Sequence, residues 1–148
     1  MTAHAPALHA RSPEASDLSG LRVLAIDDAE HARLLTRSML RSLGVTNVFL
    51  AVNGQEALSI LGSAGERFDL IICDWNMPGL TGIELLRIVR QRLPQTPFLM
   101  VTGRADLELA LAAKHLGVSA FIAKPFALAQ LEIKIRVLIS RAKQRASA

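Results

Sequence analysis

The stretch that decides the fold runs from Phe68 to Gly79 and reads FDLIICDWNMPG. Its first half, FDLIIC, is a short apolar run that is typical of a strand buried on both faces of a sheet. Asp74 ends that run, and the residues NMPG then break the strand. Because a buried carboxylate without a partner is costly, we expect Asp74 to have a functional role at this position.

Four more apolar runs flank this one, and helical patterns separate them. The predicted strands are residues 21–26, 45–51, 68–73, 96–102 and 118–123, and the predicted helices are residues 30–43, 56–64, 83–93, 105–116 and 127–145. Near-continuous apolar strands that alternate with amphipathic helices predict an α/β fold. We therefore expect a five-stranded parallel sheet with five helices on both faces.

The length of 148 residues and a hydrophobic fraction of 51% predict one domain with a sizeable core. Residues 1–20 show no periodicity, so we predict a mobile N-terminal tail, a folded domain over residues 21–145 and no output domain after it. The net charge of +4 favours a solvated basic surface over direct binding of nucleic acid.

No sequence feature predicts a membrane or secreted location. No apolar run approaches the ~18 residues of a membrane span, and the N-terminus lacks the pattern of a signal peptide. The single cysteine, Cys73, forms no internal disulfide and reads as a core residue. We expect a cytoplasmic protein.

Polar side chains stand where four of the predicted strands end. Asp27 and Asp28 follow the first strand, Asp74 the third, Thr102 the fourth and Lys124 the fifth. Each has a structural explanation by itself, since an aspartate or a threonine could cap a helix and a lysine could lie on the surface. Because parallel strands present their carboxyl ends at one edge, these residues together predict a single site.

The chemistry of that site follows from its residue types. Three clustered carboxylates repel one another, and a divalent cation such as Mg²⁺ relieves the repulsion. A lysine and a hydroxyl beside the cation would clamp a phosphoryl group. No GxxxxGK[ST] or GxGxxG loop follows the first strand, which favours a small phosphoryl group over a nucleotide. A carboxylate can itself accept the phosphoryl group as an aspartyl phosphate.

Four motifs, AIDDAE, IICDWNMPGLTGIELL, VTG and AFIAKPF, occur in this order. They resemble the receiver domain of two-component response regulators, nearest to the single-domain chemotaxis type, CheY, over about Leu21 to Arg141. The resemblance implies a flavodoxin-like sheet of order 2-1-3-4-5. It also implies a phosphoryl group taken from a sensor histidine kinase or a histidine phosphotransfer domain. Such a protein is no enzyme beyond catalysing its own phosphorylation and dephosphorylation.

The resemblance assigns the phosphoacceptor and the metal ligands. Asp74 matches the phosphoacceptor, and Asp28 matches a direct Mg²⁺ ligand. Asp27 matches the carboxylate that holds the metal through water. Asn76 matches the residue whose backbone carbonyl ligates Mg²⁺.

The resemblance also assigns the switch. Lys124 matches the lysine that pairs with the phosphoryl oxygens, and its bond to Pro125 is expected to be cis. Thr102 matches the switch hydroxyl, and Phe121 matches the switch aromatic. Phe121 departs from CheY, which has a tyrosine there, so a hydrogen bond from that hydroxyl to a partner is lost.

The fourth and fifth predicted helices carry more apolar residues than fit on one buried face. The remaining residues, Leu107, Leu111, Ile133 and Val137, lie on the fourth and fifth helices, which the switch would move. We predict that they form a surface for a downstream target protein or for a phosphorylation-promoted dimer of an otherwise monomeric chain. Scattered surface residues are the alternative.

The first helix carries a basic stripe of Arg33, Arg37 and Arg41, which we place opposite an apolar stripe that includes Leu35. In the resembled family this helix docks the histidine-containing domain, so the stripe is a candidate for kinase docking. A solvated face is the alternative.

Three other functions compete with a stand-alone switch. A phosphohydrolase with an aspartate nucleophile usually has an acid two residues later, where this chain has Asn76. A phosphate shuttle in a multistep relay would use the same residues and stays open. A DNA-binding regulator would need an output domain.

Overall fold

The computed structural model describes residues 17–63, 67–103 and 107–147, except the side chains of residues 107–109. The strands are β1 (Arg22–Ile26), β2 (Asn47–Ala51), β3 (Leu70–Asp74), β4 (Phe98–Thr102) and β5 (Ala120–Ala123). The helices are α1 (Glu30–Ser42), α2 (Gly54–Leu61), α3 (Gly82–Arg92), α4 (Leu107–His115) and α5 (Leu128–Ser147). None of the helices in the described residues combines the length and hydrophobicity that a bilayer span requires.

The five strands form one parallel sheet of order β2-β1-β3-β4-β5, which confirms the predicted fold. The register sets Ile26 beside Cys73, Asp74 beside Val101 and Thr102 beside Ala123. The carboxyl ends of β1, β3 and β4 therefore reach the same edge of the sheet, and the predicted site residues follow them.

Two apolar layers cover the sheet because successive side chains of a strand point to opposite faces. On one face Ile71 and Cys73 pack with residues of α2, α3 and α4. On the other face Leu70 and Ile72 pack with residues of α1 and α5. Burial on both faces explains why β3 is a continuous apolar run.

Two helices begin at residues whose side chains cap them. The Asn53 side chain accepts a hydrogen bond from the Glu56 backbone N–H, at 2.8 Å. Thr81 and Glu84 form a reciprocal capping box at the start of α3, with bonds of 2.9 and 3.2 Å. The second cap fixes where the chain turns after Asp74.

Leu18, which falls within the predicted N-terminal tail, lies against the folded domain. Leu18 is 3% exposed and packs in the same apolar layer as Val23 and Leu40, and its carbonyl accepts a hydrogen bond from the Leu21 N–H. An apolar side chain that can cover the core is held there by burial. The remaining residues of that prediction, 1–16, lie outside the described residues.

The predicted apolar stripe of α1 is wrong at Leu35, although Met39 of the same helix and Leu43 at its end pack against the core. Leu35 is 48% exposed, whereas Leu40 is buried and Arg33 and Arg37 are half-buried. The first turns of α1 lie beside the aspartates at the end of the sheet, where a cation is favoured over a leucine. The first residue of α5, Leu128, is 37% exposed, whereas Leu131 and Ile135 of the same helix are buried.

Candidate functional site

Three charged side chains meet where β1, β3 and β5 end. Lys124 follows β5, and its Nζ lies 2.9 Å from Oδ2 of Asp27, which follows β1. The same Nζ lies 3.6 Å from Oδ1 of Asp74, the last residue of β3. Two carboxylates on neighbouring strands therefore share one ammonium group.

Asp27, Asp28 and Asp74 form a carboxylate cluster in which one oxygen of each lies within 4.8 Å of the others. Asp27 and Asp74 are nearly buried, whereas Asp28 is exposed. Asp28 does not cap α1, because the N-cap residue is Ala29 and no side chain caps that helix. Oxygen ligands so close together suit a hard divalent cation.

The pKa of Asp74 is raised above the ordinary value of an aspartate. Burial is the largest cause, and the negative charge of Asp27 is the second. The charge of Lys124 and a hydrogen bond from the Asn76 backbone N–H oppose the rise, and Asp28 adds least to it. The three carboxylates thus have too little positive charge around them, which is the condition that a bound cation would relieve.

The pKa of Lys124 is also raised. Burial by itself lowers it, but the hydrogen bond to Asp27 and the negative charges of Asp74 and Asp27 outweigh that effect. Lys124 therefore keeps its charge throughout the physiological range. Its peptide bond to Pro125 is cis, as the resemblance predicted.

Arg33 makes a contact at the site that the sequence did not predict. Its Nη1 donates a 2.8 Å hydrogen bond to the backbone carbonyl of Asp27, and the side chain lines a small cavity with Asp74 and Lys124. The bond ties α1 to the turn that carries the two aspartates. The available signal was the position of Arg33, which is within two helical turns of Asp28.

Gly82 is a second residue that sequence reasoning missed. A Cβ added there would lie 2.7 Å from the backbone oxygen of Asp74 and 3.1 Å from Cα of Trp75. The N–H of Gly82 donates to the Trp75 carbonyl at 3.1 Å. The start of α3 therefore lies directly against the end of β3. A glycine right after the capping threonine was the signal.

The predicted switch residues lie on β4 and β5, the two strands that follow β3 in the sheet. Thr102 ends β4, and its carbonyl accepts a 2.7 Å hydrogen bond from the Lys124 backbone N–H. Phe121 on β5 is half-buried, and its ring centroid lies 6.4 Å from that of Trp75. A ring contact therefore joins the residue after Asp74 to β5.

A family model described as the response regulator receiver domain matches residues 23–136, which is most of the chain. The chain belongs to this family. The receiver is 41% identical over 123 residues to the chemotaxis protein CheY of Pseudomonas aeruginosa, covering 82% of this chain and 98% of that protein. It is 37% identical to CheY-3 of Vibrio cholerae, covering 82% of this chain and 93% of the relative.

Solved structures agree with these relatives. The receiver superposes on CheY4 of Vibrio cholerae with a TM-score of 0.74 and 33% identity, over 80% of this chain and 98% of that one. A receiver domain protein from Clostridium thermocellum gives a TM-score of 0.78 at 29% identity, over 84% and 98% of the two chains. The protein is thus a CheY-like receiver of two-component signalling, a class of signalling proteins rather than of metabolic enzymes.

The predicted partner surface is exposed where it is described. Leu111, Ile133 and Val137 are 49%, 62% and 41% exposed. Leu107 begins α4, but its side chain lies outside the described residues. Cys73, by contrast, is buried, and burial, followed by the charges of Asp74 and Asp27, raises the pKa of its thiol. It is a core residue, as predicted.

Proposed function

We propose that this receiver accepts a phosphoryl group on Asp74 from a sensor histidine kinase or a histidine phosphotransfer domain. The carboxylate cluster would hold Mg²⁺ for this transfer, and phosphorylation changes the surface of α4, β5 and α5 to bind a target. The observation that carries this proposal is the sharing of the Lys124 ammonium by Asp27 and Asp74 within a cluster of three carboxylates. Such an arrangement is costly for stability and useful for phosphoryl transfer.

The step is a displacement at phosphorus. A carboxylate oxygen of Asp74 forms the new P–O bond while the P–N bond of the phosphohistidine breaks, and its electron pair goes to the imidazole nitrogen. Lys124 lies close enough to Asp74 to move onto a phosphoryl oxygen. Its ammonium would then offset the charge that develops on the transferred group.

The donor set fits Mg²⁺. Asp27, Asp28, Asp74 and the backbone carbonyl of Asn76 would hold it, and the raised pKa of Asp74 reports the excess of negative charge among the three carboxylates. When bound, Mg²⁺ would supply Lewis-acid stabilisation of the phosphoryl oxygens. The exposed position of Asp28 leaves that side of the cluster accessible to solvent and to a phosphoryl donor.

The proposed switch uses Thr102 and Phe121. Phosphorylation adds a group of about −2 charge beside the end of β4, which attracts the Thr102 hydroxyl. Phe121 already contacts Trp75, so a rearrangement of its ring would connect the site to β5. A two-state surface biased in this way would pass the signal from Asp74 to a partner.

Two surfaces are the proposed partner sites. The exposed Leu111, Ile133 and Val137 support a target or dimer surface on α4 and α5. For kinase docking on α1, Arg41 is exposed and Arg37 is half-exposed, whereas the guanidinium of Arg33 bonds to the Asp27 carbonyl. We therefore assign docking to Arg37 and Arg41, and a positioning role to Arg33.

The experiment that tests this function is incubation with acetyl phosphate and Mg²⁺, read by intact mass and by Trp75 fluorescence. We expect the mass gain of one phosphoryl group, loss of that gain on chelation of Mg²⁺, and no labelling of Asp74→Asn. Asp69→Asn removes a carboxylate outside the cluster and serves as the matched control. Labelling that persists in Asp74→Asn would place the acceptor elsewhere.

The partner surface has its own test. Sedimentation with and without beryllofluoride and Mg²⁺ measures activation-dependent dimerisation. If the mass doubles, Ile133→Ser and Val137→Ser should reverse the change, because each removes an exposed apolar contact. An unchanged mass would reject the dimer and leave a different protein as the target.

A further inference from the structure

A cavity of about 300 Å³ lies at the other end of the sheet from Asp74. Its walls come from the end of α3, from the residues that precede β4 and β5, and from the C-terminal half of α5. Three arginines, Arg90, Arg141 and Arg145, line it, and no Asp or Glu of the described residues does. The cavity is therefore a concave site with three cationic groups and no acidic partner in its wall.

Arg90 is fixed in this wall by the fold. Its guanidinium donates to the carbonyls of Gly117 and Leu93, at 2.7 and 2.8 Å, and to the Ser119 hydroxyl at 3.3 Å. These bonds use three of its five N–H groups, so two remain for another acceptor. Burial, with the charge of Arg145 second, lowers the pKa of Arg90. Positive charge is thus concentrated here without compensation.

The other two arginines of the cavity make few hydrogen bonds within the protein. Arg145 makes one long hydrogen bond, 3.4 Å to the carbonyl of Gln95. Arg141 is exposed, and among the described residues no hydrogen bond or ion pair is made to it. The helix dipole favours a cation in the last turn of α5, but it does not account for three guanidinium groups around one cavity.

We propose that this cavity binds a small soluble molecule that carries a pyrophosphate or two closely spaced phosphate groups. The planar fork of a guanidinium matches phosphate oxygens in paired hydrogen bonds, and three such groups suit more than one phosphate. The volume lies at the lower end of the range for small-molecule sites. A second depression shares Gln95 and Arg145 and adds Ala142 and Ala146, which offers an apolar surface to the rest of the ligand.

This site is independent of the chemistry at Asp74. It lies at the end of the sheet where β4 and β5 begin, whereas the carboxylate cluster lies where strands end. A ligand bound there would contact α5, which also carries Ile133 and Val137. The cavity could therefore connect the concentration of a phosphorylated metabolite to the same helix that the phosphoacceptor site is proposed to switch.

The test uses inorganic pyrophosphate and the full chain without Mg²⁺ and with a chelator, so that no metal links the probe to the carboxylates. Backbone amide shifts are followed by NMR at a salt concentration of ~0.15 M. We expect saturable shifts centred on Gly117 and Ser119, with a dissociation constant below about 1 mM. Absence of saturation in that range, or shifts centred on Lys124, would overturn the proposal.

Two double variants distinguish binding inside the cavity from general electrostatic attraction to the positively charged surface of α5. Arg141→Gln with Arg145→Gln should weaken pyrophosphate binding at least about tenfold, because each removes charge-assisted hydrogen bonds. Lys134→Gln with Lys143→Gln removes the same charge from the same helix outside the cavity and should change binding by less than about twofold. Equal weakening by both would reject the site. Sulfate that binds as tightly as pyrophosphate would reject the requirement for two phosphates.

Discussion

The ammonium group of Lys124 and the carboxylate of Asp27 lie 2.9 Å apart, although 97 residues separate them in the chain. Strands β3 and β4 lie between their strands in the sheet. Because Asp74 ends β3, the same ammonium also lies within 3.6 Å of Asp74. One cation therefore balances part of the charge of two carboxylates, and removing any of the three groups has a predictable consequence.

Replacing Asp74 by Asn should stabilise the protein at neutral pH. The raised pKa of Asp74 means that its charged form costs stability above the folded pKa and that this cost is lost as the pH falls through it. We expect the free energy of unfolding to rise by roughly 1 kcal/mol at pH 7, the size of one like-charge contact in a hydrated site. Urea unfolding of both proteins, without Mg²⁺, measures it.

The gain in the free energy of unfolding of Asp74→Asn should depend on pH. Below the ordinary aspartate pKa of 3.8, both proteins carry a neutral side chain at position 74, so the gain should vanish. A gain of the same size at both pH values would show that packing, and not charge, causes it.

Replacing Lys124 by Met should move the acid limit of phosphorylation to higher pH. Lys124 opposes the rise of the Asp74 pKa, so its loss raises that pKa further and leaves less nucleophilic carboxylate at mildly acidic pH. The measurement is the phosphorylated fraction against pH with acetyl phosphate and Mg²⁺. Lys114→Met, which removes an exposed lysine from α4, is the control. An unchanged acid limit would show that Lys124 does not influence the protonation of Asp74.

Replacing Asp28 by Asn should weaken Mg²⁺ binding with little effect on the metal-free fold. Asp28 is exposed and belongs to the cluster, so its charge matters chiefly to a bound cation. We expect the Mg²⁺ concentration for half-maximal change in Trp75 fluorescence to rise at least about tenfold, which corresponds to about 1.4 kcal/mol. Glu30→Gln, which removes a charge from the first turn of α1, should leave it unchanged. If both substitutions raise the Mg²⁺ concentration equally, the effect comes from the net charge of the surface and not from a ligand role of Asp28.

Replacing Gly82 by Ala should destabilise the protein by about 1–3 kcal/mol, the usual cost of overpacking. The added Cβ would meet the backbone of Asp74 and Trp75, which cannot move aside as a flexible side chain can. Gly20→Ala is the control, because no atom lies within 4 Å of the added Cβ there. Thermal unfolding compares the two variants. Equal stability of Gly82→Ala and the wild type would show that α3 shifts freely on β3.

Much of the site could be read from the sequence because strand ends are local signals. The apolar run before Asp74, and the polar residues after the first, fourth and fifth runs, identify which side chains face the carboxyl edge of a parallel sheet. The capping residues Asn53 and Thr81 are equally local, since each bonds to a backbone N–H three residues later. These local signals require no knowledge of distant contacts.

Other features depended on contacts that no local pattern records. The sequence periodicity of α1 put Leu35 inside, but Leu35 is exposed, and the guanidinium of Arg33 bonds to the backbone carbonyl of Asp27. Leu18 lies in a stretch without periodicity and is buried because it packs in the core layer with residues of α1 and α5. The three arginines of the cavity stand on α3 and α5, and only the packed fold brings them together.

The sequence by itself determined the alternation of strands and helices, the residues at the strand ends and the family. Hydrophobic pattern, capping and motif order depend on residues that are close together in the chain. Tertiary structure alone decided the shared ammonium of Lys124, the raised pKa of Asp74, the direction of Arg33 and the close approach of Gly82. The physical reason is that charge interaction and steric contact depend on distance in space. That distance follows from the order and register of the strands and not from their separation in sequence.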